Sequence, residues 1–256
     1  MMKKILIRAD DLGYSRAVNY GIFDSIHSGI INNVGVMVNM PSTQQGLDLL
    51  RHEDIDYGMH TNISNGKPIL PASEVPSLVD KNGNFKRSRI YREAFERNED
   101  FIDLDEVTAE IDAQYNRFIE LMGKKPDYFE GHAVLSKNYV EGLHRVAKKY
   151  NLPMLDFAFG DTPVQFKRET KFKSYMMPMG ENVDPFDTFK KMFTEDQGKG
   201  VVPMMVCHPG YLDQYILNTS MLTVPRTKEV EMAMSIRTKE YVKDNDIELI
   251  RYSQCK

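Results

Sequence analysis

The 256-residue chain has the composition of a globular protein, 41% hydrophobic and 27% charged, which excludes an intrinsically disordered chain. Its net charge is −4 and its pI is about 5.9, with no block of basic residues, so nucleic acid is not an expected partner. The length suits one large core, and α/β barrels of about this size commonly form single domains.

The cysteine content and the hydropathy pattern both predict a cytoplasmic protein. Two cysteines, Cys207 and Cys255, give no disulfide framework and suit a reducing compartment. The basic start MMKK precedes an apolar run that is too short for a signal peptide, and no stretch approaches membrane-spanning length. We therefore expect no membrane association and a substrate that is soluble inside the cell.

The stretch 3–13, KKILIRADDLG, organises the rest of the chain. Its three consecutive apolar residues predict a short strand buried on both faces, as in a parallel sheet covered by helices. Two carboxylates, Asp10 and Asp11, follow, and Ser15 is the predicted N-cap of a helix over 16–28. This is the pattern of a βα unit, and α/β proteins place their active sites at the C-terminal ends of such strands.

Strand and helix patterns alternate along the remaining sequence. Short runs of apolar residues predict strands over 33–38, 56–62, 128–130, 154–159, 201–207 and 247–252. Helical spacing of apolar residues predicts helices over 41–50, 89–98, 105–122, 139–150, 185–194 and 226–244. Segment 160–183 is predicted to be irregular, and the proline-rich segment 64–88 contains an Asn-Gly turn that predicts a small hairpin in a lid or binding loop.

About seven strands that alternate with helices, without a repeat or a linker, predict a mainly parallel sheet. At this length we expect a closed or nearly closed TIM-like (β/α) barrel rather than an open sheet. The barrel is predicted to form one domain over 1–256, with an inserted loop at about 64–88.

Polar residues collect at the predicted strand ends. Three of the six histidines stand there with acids and amides, namely His60, His132, His208, Asp10, Asp11, Asn39, Asn62 and Glu130. In a barrel these ends converge on one mouth, so residues that are distant in sequence become neighbours. The histidines at positions 27, 52 and 144 lie on or beside predicted helices, where ordinary surface or core roles are expected.

Two imidazoles and a carboxylate are enough to hold a catalytic divalent metal ion with coordination positions left open. Such an ion lowers the pKa of water and polarises a carbonyl, while a second carboxylate can act as base and a further histidine as acid. The spacing leaves open which of Asp10 and Asp11 binds the metal. A thiol–imidazole pair of Cys207 and His208 is not expected, because neighbours on a strand diverge and a lone cysteine usually fills a core.

The segments ADDLG, GMHTN, KPDYFEGH, CHPGYLD and VPR resemble, in this order, the YdjC-like carbohydrate deacetylases, whose best-known member is chitooligosaccharide deacetylase. The resemblance runs from residue 8 to about residue 229, which is nearly the whole chain. It implies a distorted barrel that hydrolyses N-acetyl groups of small acetylated sugars. It also implies a divalent metal, usually recorded as magnesium, and often a homodimer.

The resemblance assigns roles to individual residues. Asp11, His60 and His132 would be the metal ligands, Asp10 the general base and His208 the acid. Two imidazole ligands suit Zn²⁺, Co²⁺ or Mn²⁺ better than Mg²⁺ by their softness. Each of these ions therefore remains a candidate cofactor.

Four further residues are expected around these ligands. Arg226 matches the Pro-Arg pair of the family and would tune the carboxylates of the site. Asn39, Asn62 and Glu130 would contact the substrate or support the ligands.

One segment departs from the family pattern. The family usually reads Asp-Ser-His followed by further histidines, whereas this chain reads EGHAV over 130–134. The lost imidazole cannot donate to a sugar hydroxyl, and Ala133 and Val134 would give a drier and roomier wall that discriminates less well. We expect the chemistry to persist, with a preference shifted from chitooligosaccharides to other small acetylated sugars.

Two other functions share parts of this pattern. A metal-dependent sugar isomerase on a similar barrel uses histidines and carboxylates, but it would need more acidic ligands than the strand ends supply. A non-catalytic sugar-binding descendant is compatible with the altered segment 130–134. Acetate release from acetylated sugars would distinguish a deacetylase from both.

Overall fold

The strands of the protein form one curled β-sheet. The computed structural model describes residues 3–158, 161–178, 180 and 183–256. Eight strands form within these residues, one more than the sequence predicts. They are β1 (Lys3–Leu12), β2 (Asn33–Val36), β3 (Asp56–Thr61), β4 (Tyr128–Gly131), β5 (Val164–Lys167), β6 (Thr170–Met176), β7 (Val201–Cys207) and β8 (Ile247–Ile250). The sheet order is β4-β3-β2-β1-β7-β6-β5, and β8 also pairs with β1.

Nine α-helices lie between these strands in the same part of the chain. They are α1 (Arg16–His27), α2 (Thr43–Leu50), α3 (Ser88–Glu96), α4 (Leu104–Met122), α5 (Lys137–Tyr150), α6 (Pro185–Thr194), α7 (Gln214–Thr219), α8 (Val224–Met234) and α9 (Ile236–Asp244). As predicted, Ser15 caps α1, since its hydroxyl accepts a hydrogen bond from the Val18 N–H. None of these helices is long and apolar enough to cross a membrane.

Strand β1 is the centre of the sheet because it pairs with three others. Its beginning, through Leu6, pairs with β8, its end pairs with β2, and β7 runs along the opposite edge. Asn33 closes the seam between β8 and β2. Its amide nitrogen donates to the Ile7 and Ile250 carbonyls, and its oxygen accepts from the Tyr252 N–H. The pairings among these eight strands are parallel except that of β5 with β6, so the predicted α/β class with a distorted barrel is confirmed.

Side chains alternate between the inside of the curled sheet and the layer under the helices. On β1 the odd-numbered apolar residues join the large core shared with the helices, whereas Leu6 packs inside. The inner core is aromatic, and the stacked rings of Tyr128 and Tyr252 have centroids 3.9 Å apart. Arg8 and Asp10 continue the inward face beyond Leu6, so the same alternation delivers charged side chains to the mouth.

Gly58 on β3 leaves room for the Tyr128 ring inside the sheet. A Cβ at position 58 would lie 2.2–2.4 Å from three ring atoms, and the stack on Tyr252 restrains that ring. We expect Gly58→Ala to lower the free energy of unfolding by about 3 kcal/mol, the upper end of the usual overpacking cost. Gly142→Ala is the control, because its Cβ would meet only side-chain ends on α4 and alanine favours a helix. Urea titration measures both, and an unchanged midpoint for Gly58→Ala would contradict the expectation.

The strand predicted over 154–159 is wrong, as is the irregular segment after it. Only Met154 makes a bridge, to Phe129, and residue 159 lies outside the described residues. The next strands are instead the antiparallel hairpin β5–β6 within the segment 160–183. One face of this hairpin is exposed to solvent, so in its sequence lysines alternate with aromatic residues and no continuous apolar run is present.

The long helix predicted over 226–244 is two helices, α8 and α9. Ser235 breaks it, because its extended backbone starts α9 and its hydroxyl accepts from the Thr238 N–H at 3.2 Å. The short helix α7 was not predicted. The Asn-Gly hairpin is present only as a single antiparallel bridge between Val79 and Phe85.

The inserted loop 64–88 is fastened to α4 where it leaves β3. The Glu110 carboxylate accepts from the Ile69 and Leu70 N–H groups at 2.9 and 3.0 Å. One turn further along α4, the Gln114 amide donates to the Asn62 carbonyl at 2.7 Å and accepts from its N–H at 3.1 Å. The start of the loop is therefore held by buried polar groups beside the mouth of the barrel.

Candidate active site

A bulge at the end of β1 brings both aspartates to the mouth. The pairing of β1 with β2 shifts between Ala9 and Leu12, and Asp11 has a φ of 77°, in the left-handed region that non-glycine residues rarely adopt. Regular alternation would point Asp11 away from Asp10. The bulge instead turns the Asp11 carboxylate inward, toward Arg226 and two histidines.

Asp11, His60 and His132 form a buried cluster. Oδ1 of Asp11 lies 3.4 Å from Nε2 of His60 and 3.2 Å from Nδ1 of His132, and these two nitrogens are 2.8 Å apart. Oδ2 of Asp11 accepts from Nη2 of Arg226 at 2.7 Å. Burial alone would raise the pKa of Asp11, but Arg226 and His132 hold it well below its usual range, so Asp11 is a carboxylate.

The cluster has the chemistry of a divalent cation site. Asp11 Oδ1 is buried and makes no hydrogen bond within the described residues. Donor atoms bound at about 2.0–2.2 Å to one ion lie about 3 Å apart, which is close to the spacing found here. Three buried carboxylates, including Asp10 and Glu130, face two guanidiniums, those of Arg8 and Arg226. A cation among the three donor atoms would satisfy Asp11 Oδ1 and balance the excess negative charge.

Glu130 and Arg8 support this cluster from behind. Oε1 of Glu130 contacts Nδ1 of His60, and Oε2 accepts from Nη2 of Arg8 at 3.2 Å. The same Nη2 donates to Oδ2 of Asp10 at 2.9 Å, so one guanidinium holds both carboxylates. A carboxylate on Nδ1 fixes the imidazole tautomer in which Nε2 is free to bind a metal. Burial lowers the pKa of His60, but Glu130 and Asp10 raise it well above its usual value, which reflects the strong negative field of the site.

Arg8 was not predicted as a site residue, although the sequence carries a signal for it. It stands two positions before Asp10, on the same face of a strand that is otherwise apolar. A charged side chain that is only 6% exposed needs buried partners. The spacing Arg8-x-Asp10 could therefore have indicated an inward ion pair.

Asp10 lies beside the cluster with one oxygen unpaired. Its Oδ1 is buried and has no hydrogen-bond partner among the residues that the structure describes. Burial raises the pKa of Asp10, although Arg8 and His60 act against it. Asp10, His60 and Glu130 are also close enough to share a cation, but Arg8 already pairs with both carboxylates. A buried carboxylate with a free oxygen and a raised pKa is suited to accept a proton.

Strand β7 ends beside β1, where Cys207 pairs with Ala9, so His208 follows at the same end of the sheet as Asp10. Burial lowers the pKa of His208 to about 3, because it outweighs the opposite effect of Asp11, and Arg226 also lowers this pKa, so the ring is neutral at pH 7. Cys207 packs in the core under the helices instead, and burial raises the pKa of its thiol well above the usual value. The two side chains diverge, as expected for neighbours on a strand.

Helix α8 fixes the turn that carries His208. The Glu229 carboxylate accepts from the His208 N–H at 2.6 Å, and Nη1 of Arg226 donates to the His208 carbonyl at 3.3 Å. Burial raises the pKa of Glu229 to about 7. Arg226 thus links Asp11 to the His208 turn, while Glu229 was not predicted and gave no signal beyond its place one turn after Arg226.

Asn39 and Asn62 hold the loop after β3. The Asn62 side-chain nitrogen donates to Asn39 Oδ1 at 2.9 Å and to the Asn65 carbonyl at 2.8 Å. The Asn39 side-chain nitrogen donates to the Asn65 and Lys67 carbonyls at 3.0 and 2.9 Å. Both side-chain amides therefore form hydrogen bonds within the loop, and together they fix the backbone position of Asn65.

The segment after His132 does not form the expected apolar wall. Val134 is completely buried in the core shared with the helices, so it cannot line the mouth. Ala133 is exposed and has a φ of 50°, a left-handed backbone. The left-handed turn at Ala133 directs these two side chains to different sides of the backbone, and the sequence alone does not reveal this turn.

The fold and its mouth define an α/β barrel protein with a buried acid–histidine cluster at the C-terminal ends of its strands. The chain belongs to the YdjC-like protein family, whose model matches residues 4–244. A similar protein is carbohydrate deacetylase 2 of Listeria innocua, 32% identical over 257 residues that cover 97% of each chain.

Solved structures show the same fold. A protein from Enterococcus faecalis V583, described as a cellobiose-phosphate cleavage protein, has a TM-score of 0.79 at 27% identity over 98% of each chain. A family 4 acetyl xylan esterase from Clostridium thermocellum, solved with a cobalt ion, has a TM-score of 0.52 at 10% identity. It covers 99% of this chain and 90% of the esterase, and the likeness is one of fold alone.

Proposed function

We propose that the protein is a metal-dependent carbohydrate deacetylase that hydrolyses the N-acetyl group of a small acetylated sugar. The observation that carries the proposal is the buried cluster of Asp11, His60 and His132 with the unpaired oxygen of Asp10 beside it. The Listeria innocua relative is named as a carbohydrate deacetylase, which supports the same reaction here. The substrate would be a mono- or disaccharide that reaches the mouth beside the loop 64–88.

Asp11, His60 and His132 would hold one divalent cation through Oδ1, Nε2 and Nδ1. When bound, the cation supplies Lewis acidity, which polarises the acetyl carbonyl and lowers the pKa of water. The two imidazole donors favour Zn²⁺, Co²⁺ or Mn²⁺ over the Mg²⁺ usually recorded for the family. Arg226 neutralises Oδ2 of Asp11 and keeps Oδ1 directed at the histidines.

Asp10 takes the proton of the attacking water in this proposal. Arg8 binds its Oδ2, which prevents the carboxylate from rotating and leaves Oδ1 as the accepting atom. Its raised pKa makes it a stronger base than an ordinary aspartate. Glu130 shares the same guanidinium and keeps Arg8 in place.

His208 gives a proton to the departing nitrogen. Because its pKa is lowered to about 3, the resting ring is neutral and must first collect the proton that it donates. Asp10 holds that proton after the first step, and the pairing of β1 with β7 sets the two residues at neighbouring strand ends. The hydroxyl of water joins the acetyl carbon, the C–N bond breaks, and acetate and a free amine leave.

The chain has no tryptophan, so tyrosines and phenylalanines would supply the contacts to a sugar ring. Tyr14 and Tyr215 meet edge to face, with centroids 6.0 Å apart, and the Tyr14 hydroxyl lies 3.2 Å from the Asn65 side chain beside His132.

We also propose that the protein is a cytoplasmic homodimer. Sedimentation velocity would test this oligomeric state.

Acetate release tests the function directly. Metal-loaded protein is incubated with diacetylchitobiose and a panel of acetylated mono- and disaccharides, and acetate is measured against time. A linear, protein-dependent release from at least one sugar is expected. A protein that binds the metal fully but releases no acetate from any sugar would favour the non-catalytic alternative, and isomerised sugar without acetate would favour the isomerase.

Gly35 on β2 is expected to be required for turnover, because it faces the catalytic groups. A Cβ at position 35 would lie 3.0 Å from Asp10 Oδ1 and 3.2 Å from the His60 Cβ, so both would shift by a few tenths of an ångström. We expect Gly35→Ala to lower kcat/KM at least about tenfold, since small misplacements of reacting groups are costly. Acetate release measures this, with Gly142→Ala as the control glycine. Wild-type kcat/KM in Gly35→Ala would argue against Asp10 as the base.

A further inference from the structure

The two histidines of the cluster present opposite nitrogens to it. His60 directs Nε2 inward and turns Nδ1 to Glu130, whereas His132 directs Nδ1 inward and turns Nε2 outward. A ring nitrogen that binds a metal carries no proton, so the other nitrogen of each ring carries one. The Nε2–H of His132 therefore needs an acceptor, as the Nδ1–H of His60 needs Glu130.

Asn65 is the partner that the structure places at that position. As placed, its Nδ2 lies 3.2 Å from Nε2 of His132, and its Oδ1 accepts from the Tyr14 hydroxyl at 3.2 Å. Amide nitrogen and oxygen have nearly the same shape, and the hydrogen-bond network decides which faces a neighbour. Because Nε2 must donate when Nδ1 binds a metal, the amide oxygen of Asn65 belongs on the His132 side.

The surroundings of Asn65 agree with this orientation. With its oxygen on His132, the amide nitrogen lies at the position 3.2 Å from the Tyr14 hydroxyl and can donate to it. The Tyr14 hydroxyl in turn donates to the Thr219 carbonyl at 3.1 Å. Each donor then has an acceptor in one series of hydrogen bonds, which runs from His132 through Asn65 and Tyr14 to Thr219. The Tyr14 ring also lies 5.6 Å from the Arg226 guanidinium that binds Asp11.

The backbone of Asn65 is held firmly enough for this task. Its N–H donates to Asn62 Oδ1 at 3.1 Å, and its carbonyl accepts from the amides of Asn39 and Asn62. Gln114 on α4 fixes Asn62 itself. Asn39 and Asn62, which we predicted to contact the substrate or support the ligands, thus fix the position of Asn65.

We propose that Asn65 is a positioning residue for His132, the counterpart of Glu130 on His60. Its amide oxygen accepts the Nε2–H of His132 and holds the ring with Nδ1 directed at the cation. The inference rests on the proposed metal site. Because a neutral amide is a weaker acceptor than a carboxylate, a carboxylate at position 65 should hold His132 at least as well.

Cobalt binding tests the proposal without relying on activity. The Kd for Co²⁺ is measured by chelator competition in the wild type, in Asn65→Ala, in Asn65→Asp and in Asn82→Ala, an exposed asparagine of the same loop. We expect Asn65→Ala to bind Co²⁺ about 10- to 100-fold more weakly, as when other partners of metal-binding histidines are removed. Asn65→Asp should bind as tightly as the wild type or more tightly, and Asn82→Ala should match the wild type.

Proton NMR of the Co²⁺-loaded proteins distinguishes positioning from general loosening of the loop. The wild type should show two shifted, exchangeable imidazole N–H signals. One of the two signals, that of His132, should exchange faster with water in Asn65→Ala and recover in Asn65→Asp, while the signal of His60, which Glu130 holds, should stay unchanged in both variants. Unchanged affinity and exchange in Asn65→Ala would overturn the role of Asn65 alone. A wild type that binds no Co²⁺ at the cluster would overturn the proposed metal site, and the role of Asn65 with it.

Discussion

Replacing His60 or His132 with alanine is expected to remove the bound metal while the barrel stays folded. Each variant loses one of the three donors to the metal, so that only Asp11 Oδ1 and one imidazole nitrogen can bind it. We expect occupancy to fall from about one ion per chain to near zero, since a three-ligand site rarely survives with two. Elemental analysis after gel filtration measures the occupancy, and urea titration should show one cooperative transition.

The matched control is His144→Ala. His144 lies on the surface, where its Nε2 is 2.8 Å from Oδ1 of Asp156, and it is not part of the acid–histidine cluster. It should keep the metal content and the acetate release of the wild type. Full metal occupancy in both His60→Ala and His132→Ala would refute the assignment of these ligands.

Asp10→Asn is expected to keep the metal and lose turnover by about two to four powers of ten, the usual contribution of a general base. The amide has the shape of the carboxylate but cannot take up a proton. Asp11→Asn should lose metal affinity first, because the lost charge faces both the histidines and Arg226. Excess metal should then restore part of its activity.

Paired measurements of Kd for Co²⁺ and of kcat separate the two aspartates. The expected pattern is unchanged Kd with low kcat for Asp10→Asn, and raised Kd with recoverable kcat for Asp11→Asn. The opposite pattern would exchange the roles. Equal losses of both quantities in both variants would show that the two carboxylates act as one unit.

The α/β class and the location of the mouth could be predicted from the sequence because they follow from local patterns. Apolar runs that end in acids or histidines indicated the ends of β1, β3, β4 and β7, and a barrel brings such ends together. The same logic predicted His60, His132 and His208 at the mouth, and the structure brings His60 and His132 together with Asp11. The hairpin β5–β6 was not predicted, because its lysines alternate with aromatic residues and it contains no continuous apolar run.

The details of the candidate site could not be predicted because they depend on backbone geometry. Only the bulge shows how Asp11 can turn inward beside Asp10. Asn65 lies in a loop whose course is set by Asn62 and Gln114, which are 52 residues apart in sequence. A short-range pattern carries no information about such a contact.

The position of β1 also has a consequence for biosynthesis. One edge of this strand pairs with β2, made soon after it, and with β8, whereas the opposite edge pairs with β7. Strands β7 and β8 begin only at residues 201 and 247. While the ribosome adds those residues, one edge of a strongly apolar strand has no neighbour, and such nascent segments are prone to association. Folding should therefore finish only after residue 250 has emerged, and chaperones that bind the growing chain should increase the yield. Slow, late closure is the expected behaviour of a topology dominated by distant strand pairing.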